Sequence, residues 1–354
     1  MAKGYAGKVL RVDLTSGKIW TEEPSDAFYR RYVGGNGFVG YYLLKEVPKG
    51  ADPLGPDNAL IFAAGACTGI PVAGAGRSAV GCKSPLSGGY GEADVGGFFG
   101  AEMKQAGFDA IVVQGKAAKP VYLWINNGEA ELRSAEHLWG KTTLETQETI
   151  QEELGDKRVR LAMIGPGGEK MVRFACVIND LKHAAGRTGV GAVMGSKNLK
   201  AVAARGKPGI PVADQDKVRE LARWMAANWK DKAWGMHDMG TNGGLSNLNA
   251  VGALPTRNFQ DGQFEGASKI DGAALRDTIT IDRGGCYACP INCKRVVQVD
   301  DGDYKVNPIY GGPEYETVGA FGSNCGIDDL RAISAANEIC NAYSLDTIAT
   351  GMMV

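Results

Sequence analysis

The chain has 354 residues, enough for more than one core, and an ordinary globular mix of 44% hydrophobic and 22% charged residues. Its formal net charge of -1 provides no global field for nucleic acid or an acidic membrane, and no apolar run reaches the roughly 18 residues of a spanning helix. With no long apolar segment in the opening MAKGYAGKVLRVDL, the sequence predicts a cytoplasmic protein.

The first two hundred residues read as strands joined by turns, with a few helices. KVLRVDL and KIWTEE flank Thr15-Ser16-Gly17, and VYLWIN and AELRSA flank Asn126-Asn127-Gly128-Glu129, so both segments predict hairpins. ALIFAAG, AIVVQG, VRLAMIG, FACVIN and KAVAARG are further short β-rich runs. Helices are predicted over 24–33, 96–106 and 142–154. The last opens on Thr142 and Glu145 in capping-box spacing and stops at Gly155. RGKPGIPVADQD (205–216) breaks this pattern and marks a boundary between a β-rich domain (1–208) and a mainly helical one (209–354), an α+β class. DQDKVRELARWMAANWKDK and IDDLRAISAANEICNAYSLD then carry apolar residues at helical spacing. The closing LDTIATGMMV stops inside an apparent helix, which predicts the N-terminal part of a longer protein whose helical domain is incomplete.

Fifty-one glycines are about twice the ordinary share of roughly 7%. They gather in VGGNGFVG, GACTGIPVAGAGRSAVG, SGGYGEADVGGFFG and GRTGVGAVMG, which read as loops whose bare backbone approaches a large ligand. Eight cysteines, five of them scattered among apolar or glycine-rich neighbours, do not make a disulfide framework. The other three, Cys286, Cys289 and Cys293 in GGCYACPINCKR, form a C-x2-C-x3-C run. Zinc would ask for a second cysteine pair or two histidines downstream, and His137, His183 and His237 are all upstream and far apart. An iron–sulfur cluster accepts three thiolates from a compact run and one from afar. The spacing favours the cluster, with zinc and unligated thiols as the remaining readings. Its order of spacings is the reverse of the radical-SAM pattern.

Loops and cysteines together resemble the tungsten-containing aldehyde:ferredoxin oxidoreductases. The resemblance is carried in order by GYAGKVLRVDLTSGKI, YVGGNGFVGYYLL, the glycine-rich stretch through GFDAIVVQGKA, GRTGVGAVMGSKNLKAVAARG, CYACPINCKR, GGPEYETVGAFGSNCGI and LDTIATG. It covers about the first three-fifths of a family chain. The resemblance implies a β-rich base under two pterins that hold tungsten (or molybdenum), a neighbouring [4Fe-4S] cluster on Cys286, Cys289 and Cys293, and Mg2+ bridging the pterin phosphates. It implies cofactor-binding roles for Arg77 at the phosphates and cluster, for Asp94 where the family commonly has asparagine, and for Gly96, Ala184, Arg187, Asp346 and Gly351. The fourth cluster thiolate is expected beyond Val354, with Cys325 and Cys340 as rivals inside the chain.

The implied reaction oxidises an aldehyde to a carboxylic acid, with Glu316 as base, Tyr315 on the carbonyl oxygen and Glu314 as the alternative carboxylate. Electrons pass through the cluster to ferredoxin or an electron-transfer subunit, and the chain is expected in a homo- or hetero-oligomer. The alternatives are another tungsten–pterin enzyme, such as an aromatic acyl-CoA reductase subunit, and a non-catalytic Fe–S electron-transfer module.

Overall fold

The computed structural model describes residues 2–207 and 209–354. β1 (Val9–Asp13), β2 (Lys18–Glu22), β3 (Leu60–Ala64), β4 (Ser78–Lys83), β5 (Tyr90–Val95) and β6 (Ala110–Gln114) form one sheet in the order β2-β1-β6-β3-β4-β5. Alternation along the strands gives the sheet two apolar faces. Val9, Ile61, Ala63, Ala110 and Val112 meet Tyr29 of α1 (Asp26–Tyr32) and Phe38, Val39 and Tyr42 of α2 (Asn36–Glu46). Leu10, Val12, Leu60, Phe62, Ile111 and Val113 face the main core.

That core is shared with a second sheet of β7 (Val121–Asn126), β8 (Glu129–Ser134), β9 (Arg160–Met163), β10 (Val177–Asn179), β11 (His183–Ala185) and β12 (Leu199–Arg205), in the order β11-β10-β9-β12-β7-β8. Leu123, Ile125, Ala162, Val202 and Ala204 meet the first sheet's residues there. Phe99 and Met103 of α3 (Phe99–Gln105) join them. Both predicted hairpins are present, β1 with β2 and β7 with β8. α4 (Thr143–Leu154) carries the predicted capping box and ends on left-handed Gly155.

Two glycine-rich stretches are not simple loops. VGGNGFVG runs into α2, and GRTGVGAVMG contains α6 (Val190–Ser196), which packs on the short α5 (Pro166–Glu169). A Cβ at Gly37 would lie 1.9 Å from the Tyr32 carbonyl oxygen, and one at Gly195 equally close to that of Gly168. Glycine at these two positions lets backbone pack on backbone.

Three lysines in the same region are almost wholly buried. Lys104 donates to the carbonyls of Gly65 and Ala66 at 2.6 and 3.0 Å and lies 3.8 Å from Asp109. Lys197 reaches the Asn58 and Gly115 carbonyls. Lys200 reaches that of Lys141 and pairs with Glu169. Each ammonium satisfies carbonyls of turns that no ladder covers.

The remaining elements are α7 (Gln215–Met239), α8 (Leu245–Ala250), α9 (Ala267–Ile270), α10 (Gly272–Thr278), the hairpin β13 (Thr280–Gly284) and β14 (Lys294–Val297), α11 (Tyr315–Phe321), α12 (Leu330–Tyr343) and α13 (Thr347–Met353). The chain divides into two compact units. One runs to Ala222 and takes in Cys286–Ala288 and Tyr343–Leu345; the other comprises Arg223–Gly285, Cys289–Ala342 and Asp346–Val354. The β-rich and then helical succession is the expected one. Among the described residues no helix is long and apolar enough to cross a membrane.

Candidate active site

Five of the predicted cofactor residues gather where two sheet edges adjoin. β5 is the outer strand of the first sheet and β11 of the second, and the two strands touch. Asp94 on β5 and Ala184 on β11 are exposed, and exposed Arg187 follows β11. Ser78 pairs with Val95, so the same register sets Arg77 opposite Gly96. The Arg77 side chain is exposed, while its carbonyl accepts from Thr68 Oγ1 at 2.6 Å. A planar cation and bare backbone on an open ledge suit a phosphate-bearing ligand.

Cys286 lies against this ledge. A Cβ at Gly96 would stand 2.7 Å from Cys286 Sγ, and one at Gly76 would stand 3.0 Å from Cys286 Cβ. Neither position admits a side chain unless the cysteine moves. Tyr287 fixes the approach: its N–H donates to the Gly97 carbonyl at 3.1 Å, and its hydroxyl accepts from Gln105 Nε2 at 3.0 Å.

The cysteine run is the loop of the β13–β14 hairpin, closed at its base by the pair Gly284–Lys294. Ala288 (φ 52°) and Asn292 (φ 49°), the residues just before Cys289 and Cys293, are left-handed. Those turns reverse the chain ahead of each thiol. Buried Arg295 braces the loop by donating to the carbonyls of Asp238, His237 and Asn292. None of the three cysteines is in a disulfide, and all three are half-exposed. Among the described residues no three His, Cys, Asp or Glu side chains stand together as a single-ion site. A cluster takes one thiolate per iron and asks for a wider spread, so three accessible thiols on a braced loop fit it.

The rival cysteines are otherwise engaged. Cys325 donates its thiol to the Ala320 and Gly351 carbonyls, each at 3.2 Å, and burial raises its pKa. Cys340 is buried in α12 and pushed up to about 11 by that burial. Neither lies on the hairpin loop that carries Cys286, Cys289 and Cys293.

The two glutamates around Tyr315 differ sharply. Glu314, at the N-cap of α11, takes Lys294 Nζ at 2.9 Å on one oxygen and the Thr241 hydroxyl on the other. Glu316, in the first turn of the helix, is exposed. Tyr315 is half-buried, and burial, with Glu316 beside it, raises its phenol pKa. Of the two carboxylates, Glu316 is the exposed one.

Asp346 and Gly351 have structural roles of their own. Asp346 caps α13 by accepting from Ile348 N at 3.0 Å. A Cβ at Gly351 would meet the Ala320 backbone at 2.7 Å, so glycine lets α13 lie close on α11.

Two residues of the ledge escaped the sequence reading. Asp180 is half-buried with its side chain 8% exposed, and it accepts from Phe98 N at 2.7 Å, which holds the Gly96–Gly97 turn; burial raises its pKa while Arg160, 3.7 Å away, opposes that. No local pattern announces a contact spanning 82 residues. Glu92 is two residues before Asp94 on one strand face, a spacing that was readable. Burial, then the neighbouring Asp94, pushes its carboxyl up to about 7.

A family model described as aldehyde ferredoxin oxidoreductase, N-terminal domain, matches residues 9–206, and one for domains 2 & 3 matches residues 218–354. The chain is 46% identical to the tungsten-containing aldehyde ferredoxin oxidoreductase of Pyrococcus abyssi (strain GE5 / Orsay) and 44% identical to that of Pyrococcus furiosus. Each comparison covers 98% of this chain and 57% of the relative. A WOR-like subunit of an aliphatic sulfonate oxidoreductase from Pyrococcus furiosus is 35% identical, over 98% of this chain and 58% of that protein. A solved structure, the active site complex BamBC of benzoyl coenzyme A reductase with 1,5-dienoyl-CoA, superposes with a TM-score of 0.83 at 29% identity, covering 99% of this chain and 55% of that one. The chain thus spans a little over half the length of the curated relatives it matches.

Proposed function

Because the chain belongs to the aldehyde ferredoxin oxidoreductase family, we propose that the whole protein oxidises aldehydes to carboxylic acids in the cytoplasm. Its centre is tungsten (or molybdenum) bispterin, and its electrons pass through a [4Fe-4S] cluster to ferredoxin or a partner subunit. The observation that carries this is Cys286 seated on Gly76 and Gly96, with Arg77 adjoining in sequence and register. A cluster ligand and a phosphate-binding cation thereby share one ledge.

When bound, the metal centre supplies a Lewis acid and a two-electron sink. The chain's residues do the rest. Glu316 takes a proton from the water that adds to the carbonyl, and the Tyr315 hydroxyl donates to the carbonyl oxygen. Aldehyde and water give acid, two protons and two electrons. Arg77 and Arg187 would bind the phosphates, and Asp94 with the Ala184 carbonyl would hold the magnesium. Asp346 and Gly351 would contribute to binding a pterin, and Cys286, Cys289 and Cys293 would each hold one iron.

The benzoyl-CoA reductase likeness keeps aromatic acyl-thioester reduction as a second reading. The test is metal analysis of the full-length protein prepared without oxygen, with aldehyde-dependent reduction of a viologen dye. Tungsten, four irons per chain and a carboxylic acid product are expected. Zinc without iron would remove the reading, and turnover confined to aryl-CoA thioesters would replace it with the second.

A further inference from the structure

α7 is broken at Ala233 (φ -141°, ψ 20°), and the break has a local result. In a continuous helix residues five apart point in divergent directions. Here Trp229 and Trp234 stack with centroids 6.2 Å apart and planes 20° apart, and the His237 ring lies 4.6 Å from the first and 5.4 Å from the second. His237 Nδ1 is 2.7 Å from the Ile291 carbonyl, inside the loop between Cys289 and Cys293. A run of aromatic rings therefore starts at the cysteine loop and ends in solvent at Trp234, 52% exposed.

The rim is basic. Residues 223–234 carry exposed Arg223, Lys230 and Lys232 against a single carboxylate, Asp231. The Lys230 ammonium stands 6.0 Å over the Trp229 ring. Exposed tryptophan framed by cations has the make-up of an anchor for an acidic protein.

We propose that the Trp229–Trp234–His237 patch is the docking and exit surface for a small acidic iron–sulfur carrier, which takes one electron at a time from the cluster on the neighbouring loop. The transfer oxidises the chain's cluster and reduces the carrier's, and no bond forms or breaks. This rests on the cluster assignment above and adds where the acceptor binds.

The test uses the full-length enzyme, a purified acidic ferredoxin and a viologen dye. Trp234→Ala, and separately Lys230→Glu with Lys232→Glu, should weaken ferredoxin binding by calorimetry at least about tenfold. Both should raise the KM for ferredoxin similarly. Dye-linked aldehyde oxidation, the aldehyde KM and four irons per chain should be unchanged. Wild-type ferredoxin affinity should fall with salt, and less so in the double variant. Unchanged ferredoxin affinity in both variants, or an equal loss with dye and ferredoxin, would overturn the proposal. A wild-type enzyme without iron or dye activity would remove the underlying reading, and this one with it.

Discussion

The two units position chemistry by different means. In the β-rich unit Arg77, Asp94 and Gly96 take their places from strand register, so each depends on a whole sheet and on a core closed from both faces. In the helical unit Glu314, Glu316 and Asp346 sit at helix starts, and Cys289 and Cys293 in a hairpin loop. No residue of α7, most of which lies in this unit, is buried. Register places groups collectively and rigidly, whereas caps and loops place them one at a time. Substitutions in the first unit should therefore act through the fold, and those in the second through the site.

The largest expected effect breaks that division where Cys286 meets the ledge. Cys286→Ser in the full-length protein should abolish bound iron, and Gly96→Ala should reduce it, since the new methyl takes the space of the Cys286 sulfur. Iron analysis reads both, and full iron in Gly96→Ala would show that the ledge has no part in holding the thiolate. Next, Glu316→Gln should lower aldehyde turnover by about 10²–10⁴-fold with metals intact. Glu314→Gln should instead lower thermal stability with turnover nearly kept, because it loosens the Lys294 and Thr241 contacts. The reverse outcome would exchange the two roles.

Lys104→Met tests the collective side. It takes the cation from beside buried Asp109, which keeps hydrogen bonds from Ala6 N, Gly7 N and the Tyr29 hydroxyl, and about 3–5 kcal/mol is the usual loss when one partner of a buried pair is removed. A melting temperature within a degree or so of wild type would contradict this. The smallest effect belongs to Glu92. Its folded pKa, about 7, lies above its ordinary 4.5, so between those values the folded state holds the extra proton. Stability of the cofactor-free protein should then fall as pH rises through that window, and Glu92→Gln should flatten the slope. An unaltered pH profile would mean that Glu92 is solvated like any surface carboxylate.

What was legible in the sequence follows the same line. The cysteine run was readable because adjacent ligands on one loop must be close in sequence, and α4 because its cap lies within four residues. Glycines misled at 37 and 195, since composition records a missing side chain but not which backbone comes near. Glu314 and Glu316 look alike in sequence. They are separated by Lys294, twenty residues away, and Thr241, seventy-three away. Asp180 was invisible because its partner, Phe98, comes from another part of the fold.

The three buried lysines also make this protein its own reporter. Amine-reactive labels need a solvent-accessible amino group that can give up its proton and attack, and Lys104, Lys197 and Lys200 present none while their loops are closed. Each marks a different piece of chain: the Gly65–Ala66 turn, the strand ends at Asn58 and Gly115, and the turn at Lys141. Mass-spectrometric labelling during heating would time the opening of each separately, while exposed lysines such as Lys230 and Lys232 provide the zero of the clock.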